Sequence, residues 1–336
     1  MMDAETLAAA TPQYSAWRNY ITGVLQDKYM LLKTEHLVGL FSLVFIKHEQ
    51  QMRAKDCHST VVKTGLKVMN KCWHGNKGAT AIRLSLDDSS LCFVNCHLAA
   101  GQSRIEQRNA DADGIFKTAK FVYNNKSHYD DDVIILDHEH CFVSGDLNYR
   151  LDTWTRQDVL DWLKEDNRRS MAYRELQLHD QLYKQRQQNP LLKLALFREA
   201  APIRFDPTYK YDPGTDQYDT SDKQRVPAWC DRILYRSSTT SCEYYRRHEV
   251  KASDHRPISA GFEVAVKTVR RGDCEKTAKV VAQAWDSKLA LIVQECKARY
   301  VADISNSSSS TSLEEARRQL KMKGWNVQRV IDEHSG

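Results

Sequence analysis

"CFVSGDLNYR", residues 141–150, runs from an apolar stretch into a glycine, an acid and an amide. Cys141–Ser144 reads as a short buried strand, and the next residues end it and present Asp146 and Asn148. Gly, Asp and Asn are also ordinary turn formers, because they tolerate the backbone angles that turns need. A rigid strand holding an acid and an amide toward a ligand produces the same letters. These ten residues fit both readings, so their surroundings must decide.

On either side, apolar runs alternate with helical patterns. Leu37–Lys47, Ala79–Leu86, Leu91–Asn95, Val133–Leu136, Ile233–Tyr235 and Ile258–Val266 read as strands. Residues 14–32 carry Tyr14, Trp17, Ile21, Leu25 and Tyr29 at helical spacing, and residues 104–121 and 156–187 are the clearest later helical segments. Alternation of this kind predicts a layered α/β domain with catalytic loops at strand ends. After residue 267 the character changes. Val281, Trp285, Leu289, Ile292 and Cys296 predict one helix over 274–300, within a helical extension at 267–304. "SNSSSSTS" (305–312) is a serine-rich linker, and Ser312 with Glu315 opens a capping box ahead of a helical hairpin at 313–336, broken at Gly324.

Bulk composition narrows the function. With 336 residues, 41% of them hydrophobic and 28% charged, the chain can bury a large core and is not a disordered polymer. A net charge of +5 suits an anionic ligand or an acidic membrane face and lacks the basic excess of a dedicated nucleic-acid binder. Nine scattered cysteines without a Cys-x-x-Cys pair point to reduced thiols, not to a disulfide framework or zinc site. The longest apolar run, Leu37 to Ile46, is too short to span a bilayer. No signal peptide opens the sequence and "DEHSG" is no prenylation box, so the expectation is a cytoplasmic protein touching membranes peripherally.

Four polar clusters stand where apolar runs end. His97 follows one strand, Asp146 and Asn148 follow another, Asp231 precedes a third, and Asp254 and His255 precede the last. Each alone is weak, since a lone histidine is more often a satisfied structural residue. Together they offer what metal-assisted hydrolysis of a phosphate ester needs. A carboxylate orients or deprotonates water, donors stabilise the equatorial oxygens, and a hard cation neutralises developing charge. Two decoys are set aside. Cys230 and Arg236 have the spacing of a cysteine phosphatase loop, but "DRILY" between them is glycine-free and strand-like. "DHEH" (137–140) lies between two apolar runs and reads as a structural connection.

At this point a resemblance becomes specific. "GNKGATAIRL", "FVNCHLAAG", "RNADAD", "GDLNYRLD", "FDPTYKYDPGTDQYDTSDKQRVPAWCDRILYR" and "SDHRPI" are similar, in order, to the signature blocks of the inositol polyphosphate 5-phosphatases, fungal type. These belong to the endonuclease/exonuclease/phosphatase superfamily. The resemblance covers a catalytic domain at 14–266 and implies a four-layer α/β sandwich with two central mixed sheets, as in DNase I. It also implies roles: Asp146 for the water, Asn148 for the phosphoryl group, and His97 for the scissile phosphate. Asp231 would buttress His255, and Asp254 would stand on the metal side. Tyr209, Lys210 and Lys223 match positions that grip the neighbouring 4-phosphate, and Lys77 is a further phosphate contact. The implied cofactor is Mg²⁺, and the implied substrate is a phosphoinositide headgroup such as that of phosphatidylinositol 4,5-bisphosphate.

The family's domain opens with a "WNVN"-type strand and a "QE" pair whose glutamate is the principal magnesium ligand. Neither stands in this sequence, whose only early acids are Asp3 and Glu5. The expectation is therefore a domain short of its first strands, with Asp254 and the substrate left to hold the ion. Three functions follow: a Mg²⁺-dependent 5-phosphatase, a phosphoinositide-binding module that does not turn over, and a nuclease of the same superfamily. The "TYKY" block and the modest charge count against the last. What the C-terminal helices bind is open.

Overall fold

The structure, a computed structural model, describes residues 4–64, 66–68, 72–74, 76–121, 133–164, 166–305, 312–327 and 330–331. It divides into two units, Met1–Thr268 and Val269–Gly336. In the first, the strands are β1 (Tyr29–Leu37), β2 (Leu40–Lys47), β3 (Ala54–Lys63), β4 (Leu66–Val68), β5 (Cys72–His74), β6 (Gly78–Leu86) and β7 (Ser89–His97). There follow β8 (Lys120–Phe121), β9 (Val133–Ile134), β10 (His140–Asp146), β11 (Arg198–Glu199), β12 (Asp231–Arg236), β13 (Thr240–Arg247) and β14 (Ile258–Val264). The helices are α1 (Ala4–Leu25), α2 (Ile105–Thr118), α3 (Arg156–Lys164), α4 (Arg169–Leu178) and α5 (Gln181–Gln188).

Six strands form the central sheet in the order β11-β12-β10-β7-β6-β3. β10 and β7 run parallel, and the other neighbours are antiparallel. β6 is buried from Gly78 to Leu84, which explains why "GATAIRL" shows no polar-apolar alternation: a strand covered on both faces has no solvent side. Its two polar exceptions are satisfied. Thr80 Oγ1 meets Ser42 Oγ at 2.7 Å, and Arg83 Nε donates to His138 Nε2 at 2.9 Å.

Helices cover one face, where Ile115, Phe116 and Leu182 join Cys92, Val94, Cys141 and Val143 in one core. The hairpin β1–β2 lies over β3, β6 and β7 on the opposite face, and β14 lies against β12. Phe142 bridges these layers, its ring centroid 5.3 Å from Phe93 and 5.0 Å from Phe262. Outside β1, α1 stacks Tyr14 on His36. The result is the expected four-layer α/β sandwich, with one difference: the second β layer is two separate hairpins. A slot of about 410 Å³ lies between Phe41–Val44 of β2 and Ile258 of β14, floored by Phe93, Ser144 and Ile233 and reaching Gly145 and Asp231.

Several elements differ from the sequence reading. Helix α1 ends at Leu25, and Tyr29 begins a strand, as aromatic residues favour. The single strand expected at 37–47 is the second arm of a hairpin turned at Gly39, whose φ of +70° suits glycine. The 156–187 stretch is three helices, the last capped by Asp180, whose carboxylate accepts from Tyr183 N. In "DHEH", His138 is buried between Arg83 and the Ile135 carbonyl, and Glu139 pairs with Lys267.

The second unit contains α6 (Arg271–Ser305) and α7 (Leu313–Met322). Ala298, Val301 and Ala302 pack against Ala316, Leu320 and Val330, while Val281, Trp285, Leu289 and Ile292 are exposed. Ser312 caps α7 by accepting from Glu315 N, and Gly324 has a φ of +62° just past its end. Most of the serine linker, at 306–311, and the hairpin's end, at 328–329 and 332–336, lie outside the described residues.

Candidate active site

Parallel pairing of β7 with β10 sets His97 opposite Asp146, and antiparallel pairing of β10 with β12 sets Asp146 opposite Asp231. Three chemical groups from distant sequence therefore meet at one end of the sheet. Strand ends are held by backbone bonds from Leu98 N to Asp146 O at 3.0 Å and from Leu147 N to Cys230 O at 2.8 Å. Gly145 explains its place in the motif. Its φ is +119°, and a Cβ there would lie 2.1 Å from Cys96 O.

The first arm of the site is His97 and Asp146, with Nε2 to Oδ2 at 3.3 Å; the Lys77 ammonium also contacts His97 Nε2. Burial alone would raise the Asp146 carboxyl. The His97 bond and the charges of His255, His97 and Arg150 outweigh it and hold the group below the usual carboxylate range. Burial lowers Lys77, partly offset by Asp146.

In the second arm, Asp231 Oδ2 accepts from His255 Nδ1 at 2.8 Å and from Thr208 Oγ1 at 2.7 Å. Burial disfavours the imidazolium of His255. The bond to Asp231, with the charges of Asp231, Asp146 and Asp254, reverses that and raises its pKa. The Tyr209 ring packs 4.7 Å from the His255 ring. Beside them Lys210 Nζ donates to Asp254 Oδ2 at 2.9 Å. Burial would raise Asp254, and Lys210 and His255 bring it below its ordinary value.

The structure thus brings together His97, Asp146, Asn148, Asp231, His255, Lys77, Tyr209, Lys210 and Asp254. Lys223 is exposed on the turn where Gln224 N bonds Ser221 O, a turn joined to Lys210 through Asp219, whose N–H bonds Lys210 O at 2.9 Å. Cys230 is fully buried and its thiol is pushed well up by burial, which disqualifies it as a nucleophile. Sequence reading missed Thr208, Arg150 and the pair Arg108–Asp111. Arg108 donates to Ala99 O and Gly101 O while Asp111 accepts from Ala99 N, fixing the loop after His97. "RNADAD" signalled that helix without indicating what it held.

Chemically, an ionised carboxylate beside two imidazoles and two ammonium groups can take a proton from water and receive a phosphate's oxygens. Among the described residues no cluster of three or more His, Cys, Asp or Glu could hold a metal ion. Asp254 is a hard oxygen donor, 37% exposed, and suits a cation that takes one carboxylate and completes its shell with water and substrate phosphate.

An α/β sandwich with this cluster at the strand ends defines a class of phosphoesterases. The chain matches Endonuclease/Exonuclease/phosphatase family 2 over residues 1–261. It is 40% identical to a probable inositol polyphosphate 5-phosphatase of Schizosaccharomyces pombe, over 98% of this chain and 28% of that one. It is 34% identical to the type II inositol 1,4,5-trisphosphate 5-phosphatase of Mus musculus, over 82% and 27%. Among solved structures, a synaptojanin inositol polyphosphate 5-phosphatase domain in complex with inositol (1,4)-bisphosphate and calcium superposes with a TM-score of 0.61. Its identity is 34%, over 79% of this chain and 70% of that one. A Cimex nitrophorin, 22% identical with a TM-score of 0.56, shares the fold alone.

The chain belongs to the inositol polyphosphate 5-phosphatases of the endonuclease/exonuclease/phosphatase superfamily. It spans little more than a quarter of the length of these curated relatives.

Proposed function

We propose that this protein hydrolyses the 5-phosphate of a phosphatidylinositol polyphosphate such as phosphatidylinositol 4,5-bisphosphate, by direct attack of water. The observation that carries this reading is the convergence of two arms, His97–Asp146 at 3.3 Å and Asp231–His255 at 2.8 Å, on adjacent strand ends. Asp146, held ionised, takes the proton of the attacking water. His255, its Nδ1 bonded to Asp231, keeps Nε2 for a phosphoryl oxygen, and Lys77, which lies against His97, supplies further donors. Lys210 and Tyr209 receive the 4-phosphate, with Lys210 exchanging Asp254 for the more highly charged ligand. Asp254 would then hold Mg²⁺ with water and substrate oxygens. When bound, the ion supplies Lewis-acid neutralisation of charge on the phosphoryl group. Access to a lipid headgroup implies work at a cytoplasmic membrane surface, and no helix among the described residues is long and apolar enough to cross one.

A second reading is a phosphoinositide-binding module, favoured by one observation: Asp254 is engaged by Lys210 and stands in no larger ligand cluster among the described residues. Titrating Mg²⁺ against phosphate release and against vesicle binding separates the two. Release that saturates with Mg²⁺ supports the phosphatase. Binding without release at any concentration overturns it, and cleavage of plasmid DNA instead would revive the nuclease.

A further inference from the structure

We propose that Arg150 is the positioning residue of the site, acting through Asn148 on Asp146; this rests on the phosphatase reading above. Arg150 is 6% exposed, two residues past Asn148, whose backbone is left-handed at a φ of +57°. Its guanidinium donates from Nε to Asn148 O at 2.9 Å and from Nη2 to Asn148 Oδ1. Arginine can only donate, so the amide oxygen must face it and the amide orientation is set.

The consequence falls on Asp146. With Oδ1 taken, Asn148 Nδ2 donates to Asp146 Oδ2 at 2.9 Å and to Leu98 O at 3.1 Å. Asn148 N donates to Asp146 Oδ1 at 3.0 Å. Asn148 thus holds both carboxylate oxygens, one through its backbone and one through its side chain. It is 2% exposed and both side-chain N–H groups are bonded inside the protein, so it orients the carboxylate.

The same guanidinium lies 4.4 Å from the Tyr209 ring centroid, and that ring packs on His255. One buried cation therefore braces both arms. A lysine could not do this, because its single ammonium cannot donate in a fork and stack on a ring at once.

The test compares wild type with Arg150→Lys and Arg150→Met, reading kcat, KM, thermal stability and the Asn148 side-chain amide signal by NMR. In folded Arg150→Lys, kcat should fall on the order of 100-fold with KM changed less than about threefold, as misplacement of a reacting group produces. The Asn148 amide protons, distinct and slowly exchanging in wild type, should exchange faster. An unmoved amide signal in both variants overturns the proposal, as does a moved signal with unchanged kcat. A purely structural arginine would lower stability and leave kcat per folded molecule intact, which also overturns it. If wild type shows no turnover, the phosphatase reading fails, and the amide signal still decides whether Arg150 holds Asn148.

Discussion

Asp146 and Asp231 face each other across neighbouring antiparallel strands, and each has its own histidine: His97 at 3.3 Å for the first, His255 at 2.8 Å for the second. His255 is held in one orientation by its Nδ1 bond to Asp231, and His97 lies against Asp146. In Asp231→Asn the charge that favours the His255 imidazolium is lost while an acceptor remains. We expect kcat to fall by about 10²–10⁴-fold, the usual contribution of a positioned acid or base, with melting little changed. Phosphate-release kinetics on the purified variant check this; a loss under threefold would place Asp231 outside the chemistry.

Gly145 tests why the motif needs glycine. Its φ of +119° is foreign to residues with side chains, and the Cβ of an alanine would meet Cys96 O at 2.1 Å. Gly145→Ala should lose at least about 1–3 kcal/mol from backbone strain alone, before the clash is counted. Urea denaturation measures it, and an alanine variant as stable as wild type would show that the β7–β10 contact is looser than described.

Lys210 should set headgroup preference. Removing a charge-assisted contact to phosphate costs about 1.5–3 kcal/mol, on the order of 10–100-fold. Lys210→Ala should therefore lose most of any preference for the 4,5-bisphosphate over the 5-monophosphate lipid. The ratio of kcat/KM on the two lipids reads this directly, and an unchanged ratio would remove Lys210 from the 4-phosphate subsite.

Asp219, whose N–H bonds Lys210 O at 2.9 Å, makes a pH prediction for stability. The side chain is buried and bonded by Ser221 and Arg225. Burial alone would raise its carboxyl, but these bonds hold it at about 2. A carboxyl depressed on folding contributes stability that is complete above the unfolded value of about 4 and is lost as pH falls through the folded one. Between pH 4 and 2 the wild type should therefore lose stability relative to Asp219→Asn. Parallel melting profiles for both proteins across that window would contradict the assignment.

Much of this site was legible in the sequence because its residues sit at the ends of apolar runs. His97, Asp146 and Asp231 could be placed on strand ends, and strand pairing then did the rest. β3 escaped because it is the outer strand of the sheet, where "AKDCHSTVVK" can keep polar residues exposed. β13 is similarly masked by its charges. Arg150 was hidden for a different reason. A charged residue after a turn motif reads as solvated, and its burial follows from the approach of Tyr209, 59 positions later in the chain, which no local pattern carries.

The most direct test of the account is phosphate release from phosphatidylinositol 4,5-bisphosphate vesicles with Mg²⁺, wild type against Asp146→Asn. We expect wild type to release one phosphate per lipid and leave the 4-monophosphate, and the variant to bind the same vesicles with release reduced at least about 100-fold. Equal release by the two proteins would contradict the central role given to Asp146.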